Sequence, residues 1–355
     1  MNAPLLVMAT GARTPLGLHS AASAASLRAA ISSCSEHPYF VDGTGEPMPA
    51  SLDGLLDPRL PCRERMLALA RSAMQEAMLP LLASGRQIRV PVLVGLPEPR
   101  PGFSEADAHW LRSQLAQQGG LTFVPGETQA CLSGHSAALF LMDQARRDMA
   151  QGKYDMCLIG GVESYFHPDT LEWLDRNRQL VGPVSRSGFV PGEGAGFCLL
   201  MTAVAAHRCG LQPLALVTGS ATAWESHRIK TDDVNMGTGL IEAVHAAVGS
   251  LQPPQQRINA IYCDINGERY RGEEWGFVCL KLARYFDDPT AYCSPADGWG
   301  DMGAASGGLQ LMLAVQAAQR GYASGRRSLL WTSSENGLRA AVLLEADVIP
   351  SAFRG

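Results

Sequence analysis

The sequence predicts a layered α/β/α/β/α fold built from two halves of similar construction. Three observations carry that expectation. Strand-length apolar runs alternate with helices whose apolar residues recur at three- and four-residue steps. The order of elements over 1–205 returns over 206–355, in type rather than identity, which reads as an internal duplication within one integrated fold. Residues 131–152 and 302–321 each form a small-residue turn entering a helix so apolar that it belongs between two sheets.

Composition agrees. Of 355 residues, 46% are apolar and 18% charged, which suits a packed globular chain rather than a disordered one. A net charge of −5 supplies no basic face for nucleic acid or an anionic membrane. No apolar run approaches the roughly 20 residues of a membrane span, and the start, MNAPLLVMATGA, lacks the basic region of a signal peptide. The nine cysteines are scattered without a CxxC pair, and the eight histidines show no ligand spacing. These features predict a reduced, cytoplasmic protein with no metal and no cofactor. Cys157, Cys198 and Cys279 read as small core residues.

In chain order, a strand over 5–10 ends in TGARTPLG and leads to an Ala-rich helix over 19–31. Residues 35–60, rich in Pro, Gly and Asp, predict an irregular surface connection. A helix over 62–82 places Met66, Leu69, Ala70, Ala73, Ala77 and Leu81 on one face. A strand over 90–96, a Pro/Gly loop, a helix over 104–118 and a short strand over 122–124 follow. Next come the turn Leu132-Ser133-Gly134, a helix to Gly152 and a strand over 156–159. A connector holding a helix over 170–177 leads to GFVPGEGAGFCLLM, a glycine-punctuated turn running into a strand. The second half matches it piece by piece: strand 215–219, helix 240–248, strand 260–264, helix 302–321, strands 328–332 and 340–344.

With these pieces in order the chain resembles the thiolase superfamily, specifically the β-ketoacyl-acyl-carrier-protein synthases. The resemblance spans nearly the whole length. It rests on VMATGARTPLG at 7–17, the run ending GGVE at 160–163, GFVPGEGAG at 188–196 and GAAS at 303–306. It implies a two-half thiolase fold. It also implies a nucleophilic cysteine where the first buried helix begins, since a helix N-terminus favours a thiolate. Two histidines, or a histidine and an asparagine, would assist decarboxylation and hold the oxyanion, with a lysine in support. Members dimerise through the sheet edge, here expected at 122–124, so a homodimer or a heterodimer with a synthase-like subunit is implied. Acyl carrier protein or acyl-CoA would be the other partner.

Placed on this sequence, the family's positions hold other residues. Counting back along the helix from Gly152, the nucleophile position falls on His135; Cys131 lies four residues earlier. The histidine of the His-Gly-Thr-Gly-Thr motif falls on Asn266. The Gly-His pair falls on Trp299-Gly300, beside Asp301, and the lysine falls on Pro295. The glycine-rich loop with its gatekeeper phenylalanine reads SSENGLRAA. The expectation is therefore a synthase-like protein that has lost condensing activity and serves as an acyl- or carrier-protein-binding or partner subunit. One alternative is an active synthase or acyltransferase using Cys131. Another is a thioester hydrolase or transferase using His135 or Ser136, whose GHSAA context approaches a nucleophile elbow, though TQACLS makes a poor strand into it. Trp299 would block a substrate tunnel or floor a pocket. Glu193 reads as structural, and the charged run 268–275 as a solvated loop and helix start.

Overall fold

The computed structural model describes residues 4–347 apart from 86–88, 184, 229 and 232. After β1 (Leu5–Arg13) a separate hairpin, β2 (Ser35–Val41) and β3 (Pro47–Ala50), precedes β4 (Val90–Gly95), β5 (Pro125–Cys131), β6 (Met156–Ser164) and β7 (Glu193–Met201). The later strands are β8 (Ala215–Trp224), β9 (Ala260–Cys263), β10 (Tyr292–Cys293), β11 (Arg327–Ser333) and β12 (Leu338–Glu345). The sheet order β10-β9-β11-β12-β8-β1-β7-β6-β4-β5 contains one five-strand pattern twice, back to back. In each pattern the two outer joints are parallel and the two inner ones antiparallel. The halves join where Leu5, Leu6 and Val7 pair with Val217, Leu216 and Ala215.

The helices are α1 (Ser20–Arg28), α2 (Cys62–Ala83), α3 (Glu105–Leu115), α4 (Ala137–Ala150), α5 (Pro168–Arg176), α6 (Ala203–Cys209), α7 (Thr238–Val248), α8 (Arg269–Leu282), α9 (Ala296–Trp299) and α10 (Ser306–Gln319). α4 touches β4 and β6 of the first half and β8 and β12 of the second, while α10 touches β1, β6 and β7 as well as β9 and β11. Both helices are therefore sandwiched between the halves, with α2 and α7 on the outer faces. Three separate apolar cores follow from these layers: one around α4 and α10, one under α2 and α3, one under α7 and α8. This is the expected α/β/α/β/α architecture. Its apolar middle explains why Leu139, Met142, Leu309, Leu311 and Met312 are all buried. No helix among the described residues is long and apolar enough to cross a membrane.

Three local expectations need correction. The edge strand is β5, Pro125–Cys131, and not 122–124; Leu121 and Phe123 instead bury their side chains in the core beneath α2 and α3. An edge strand pairs on one side only, so its polar sequence PGETQAC is compatible with strand where a central one would not be. The 35–60 region holds the β2–β3 hairpin, whose Met48 and Ala50 pack on a small core with Tyr165 and Phe166. The run 268–275 is no solvated loop: Arg271 and Glu274 are among the most deeply buried charged residues of the chain. Pairing of Arg271 with Asp264 and of Glu274 with Arg339 makes that burial tolerable.

Candidate functional site at the paired helix starts

β5 delivers the chain to Cys131, and a turn with Gly134 at φ 54° starts one turn of 3₁₀ helix, Gly134–Ser136, which α4 continues. A side chain at Gly134 would need this left-handed backbone and would press on Glu98, so glycine is required there. The second half repeats the device: Asp301 and Met302 lead into a 3₁₀ turn, Gly303–Ala305, continued by α10. The two helix starts touch, and His135 meets Asp301 across them.

His135 Nε2 lies 3.0 Å from both carboxylate oxygens of Asp301. Asp301 also accepts from the Tyr165 hydroxyl at 2.9 Å, from the Gly303 backbone N–H at 2.6 Å and from the Asn266 amide. Glu163, the last residue of GGVE, accepts from the Ala304 N–H at 3.2 Å. Two carboxylates thus occupy the N-terminal end of α10, where unpaired N–H groups favour negative charge. Arg271 also approaches the imidazole, its Nη2 3.2 Å from Nε2 and 3.5 Å from Nδ1. Arg271 is held by Asp264 at 2.6 Å, by the Ser333 carbonyl at 2.8 Å and by Glu268 at 3.4 Å.

Burial raises the carboxyl pKa of Asp301, yet His135, Arg271 and Asn266 outweigh it and hold the group well below the ordinary carboxylate range. For His135, burial and Arg271 push downward; the Asp301 carboxylate more than offsets them, and the imidazole pKa ends above its ordinary value. That direction favours the protonated imidazole on the Asp301 carboxylate. An imidazolium has no lone pair with which to accept a proton or an acyl group.

The other sequence candidates are placed apart from this pair. The Ser136 hydroxyl is buried and donates to the carbonyls of Thr332 and Leu338 at 3.0 Å each, which ties the helix start to β11 and β12. Cys131 is half-buried at the end of β5, and burial raises its thiol pKa, against thiolate formation. Pro295 precedes α9 and offers no polar head group, while Trp299 is buried. Glu193 accepts from the Arg65 guanidinium and from the Asp53 N–H, a fully internal pair. Among the described residues no group of three or more His, Cys, Asp or Glu is placed to hold a metal ion.

Sequence reasoning found His135, Asn266 and Asp301 but missed Tyr165 and Arg271. A signal for Arg271 exists: Arg271, Trp275, Val278 and Leu282 fall on one helical face and all are buried. Two cavities flank the network. Behind it, a space of about 20 Å³ bounded by Asp264, Asn266, Pro295, Trp299 and Asp301 holds about one water and no acyl chain. In front, a cavity of about 200 Å³ is lined by His135, Tyr165, Trp173, Phe189 and Arg100 and by the carboxylates of Glu98, Glu163, Glu268 and Glu335. Neither Cys131 nor Ser136 lines either space.

Comparison with known proteins agrees with this architecture. Residues 124–206 match the family model for the β-ketoacyl synthase N-terminal domain. That segment contains β5, α4, β6 and β7, and so the His135 helix start. The ishigamide ketosynthase/chain length factor superposes with a TM-score of 0.80 at 16% identity, covering 98% of this chain and 100% of that one. The AntDE:AntF complex, a type II PKS acyl-carrier protein with its ketosynthase bound to the hexaketide, gives 0.78 at 14%, covering 98% and 100%. The oxazolomycin ketosynthase domain OzmH KS7 of Streptomyces albus JA3453 gives 0.72 at 18%, covering 98% and 76%. No curated protein sequence matches. The chain has the fold of these ketosynthases, and its segment 124–206 is similar to the N-terminal domain of β-ketoacyl synthases.

Proposed function

We propose that this chain is a non-condensing, ketosynthase-like partner subunit. It offers the fold's surfaces to a synthase-like chain and an acyl carrier protein without itself forming a thioester. The observation that carries this reading is His135. The residue at the helix start, where a condensing enzyme of this fold needs a free nucleophile, is a buried histidine held against Asp301 and Arg271. Claisen condensation through a thioester needs an attacking thiolate. The nearest thiol, Cys131, has a raised pKa and lines neither cavity. Hydrolysis through Ser136 meets a similar objection, since its hydroxyl is already committed to two carbonyls. The one-water space behind the network leaves no room for a growing chain.

The partner surface in this reading is the outer edge of β5, whose backbone, among the described residues, is paired only with β4. An unpaired edge is a template for a strand of another chain. A ketosynthase/chain length factor and a carrier protein with its ketosynthase are among the similar structures, which gives the proposal its pathway context, polyketide or fatty-acid assembly. Intact-mass spectrometry after incubation with octanoyl-N-acetylcysteamine thioester tests it. The expected spectrum shows no acyl adduct. An adduct present in the native chain and absent from Cys131→Ala would overturn the proposal in favour of a working nucleophile, and turnover lost in His135→Ala would favour a hydrolase.

A further inference from the structure

The front cavity contains more charge than an acyl-binding site needs, and most of that charge is matched within the protein. Glu163 pairs with Arg100 at 2.6 Å. Glu335 pairs with Lys230 and accepts from Gln179. Glu268 is shared by Arg271, Tyr270, Asn266 and Lys230. His135 is matched by Asp301, which lies behind it. Two groups of the loop after β4 remain. Glu98 accepts through Oε1 from the Asn336 N–H at 3.2 Å and has no partner at Oε2 among the described residues. Arg100, its side chain only 10% exposed, donates to Glu163 and Ser164 through Nη2 and leaves Nη1 without a partner among the described residues. Both residues line the cavity. A carboxylate oxygen and a guanidinium N–H without a hydrogen-bond partner among the described residues, on one wall with Trp173 and Phe189 as apolar surface, define a ligand by what each can still bind.

We propose that this cavity binds a small organic cation carrying a carbonyl beside its ammonium group, an amino-acid amide or an aminoacyl group. The ammonium sits on Glu98, the carbonyl oxygen on Arg100 Nη1 and the side chain against Trp173 and Phe189. At about 200 Å³ the space suits an amino-acid-sized ligand rather than a long chain. The inference goes beyond the partner-subunit reading and does not depend on it, because the site lies within one chain and needs no thioester and no second subunit.

Isothermal titration of the full chain with L-phenylalaninamide tests the assignment, with N-acetyl-L-phenylalaninamide, which lacks the charge, and phenethylamine, which lacks the carbonyl, as controls. Phenylalaninamide is expected to bind, and each control to bind about tenfold more weakly, the scale of one lost charge-assisted hydrogen bond. Glu98→Gln keeps an acceptor for Asn336 and is expected to weaken phenylalaninamide about tenfold while leaving the acetylated control unchanged. Absence of phenylalaninamide binding, equal binding of all three compounds, or an unchanged affinity in Glu98→Gln would each overturn the site. The comparison among probes uses the native chain alone, so it stands whatever the variant does to folding.

Discussion

At the scale of single residues, His135 links the protonation of the site to the stability of the fold. Its native pKa is raised above the ordinary histidine value because the Asp301 carboxylate outweighs burial and Arg271. The native state then binds a proton more tightly than the unfolded chain, whose histidine titrates near about 6.5. The resulting stabilisation is complete below that pH and fades as pH rises through the native pKa. Urea unfolding midpoints measured across pH 6 to 9 are therefore expected to fall with rising pH. Each tenfold tighter hold on the proton is worth roughly 1.4 kcal/mol. In His135→Gln that slope should flatten; an identical slope in native and variant chains would show that His135 is not the titrating group. The sequence exposed part of this network. His135 follows from counting along one helix, Asn266 and Asp301 from motif positions. Arg271 escaped because charged residues are read as surface unless their partners are known, and its partners Asp264 and Ser333 come from other strands.

At the scale of elements, the fit of α10 against β7 sets what the central layer tolerates. Alanine for glycine in the interior of a helix ordinarily stabilises by about 1 kcal/mol. At Gly308 of α10 a Cβ would lie 2.1 Å from the Gly196 carbonyl oxygen in β7. Backbone cannot yield there as a flexible side chain would. Gly308→Ala is expected to lose about 1–3 kcal/mol, read as a lower midpoint in chemical denaturation, while Gly276→Ala in α8, with open space at its Cβ, should not. Equal behaviour of the two variants would contradict the close α10–β7 approach. The long apolar elements were legible in the sequence, because α4, α10, β6 and β7 carry periodic or continuous apolar residues. β5 was misplaced by several residues, since an edge strand buries little and its residues follow no apolar pattern.

At the scale of the whole molecule, the free edge of β5 is where the proposed partnership would be felt. Glu127 is exposed and Gln129 half-buried on that strand. Joint replacement by lysine would set like charges across a two-fold strand pair, a change destabilising to association. Light scattering after gel filtration is expected to show a dimer or a mixed complex for the native chain and a shift toward monomer for Glu127→Lys/Gln129→Lys, with the unfolding midpoint little changed. A native chain that is monomeric and binds no synthase-like partner would remove this edge as the interface. The amino-acid sequence alone determined the layered class and the two apolar central helices, because periodicity and ordered motifs are local in the chain. The tertiary structure decided that His135 is held against Asp301 and Arg271, that Cys131 and Ser136 line neither cavity beside it, and that Glu98 and Arg100 each turn a charged side chain to the same cavity. Those facts depend on side chains brought together from both halves. Their charge balance exists only once burial has removed water from between them.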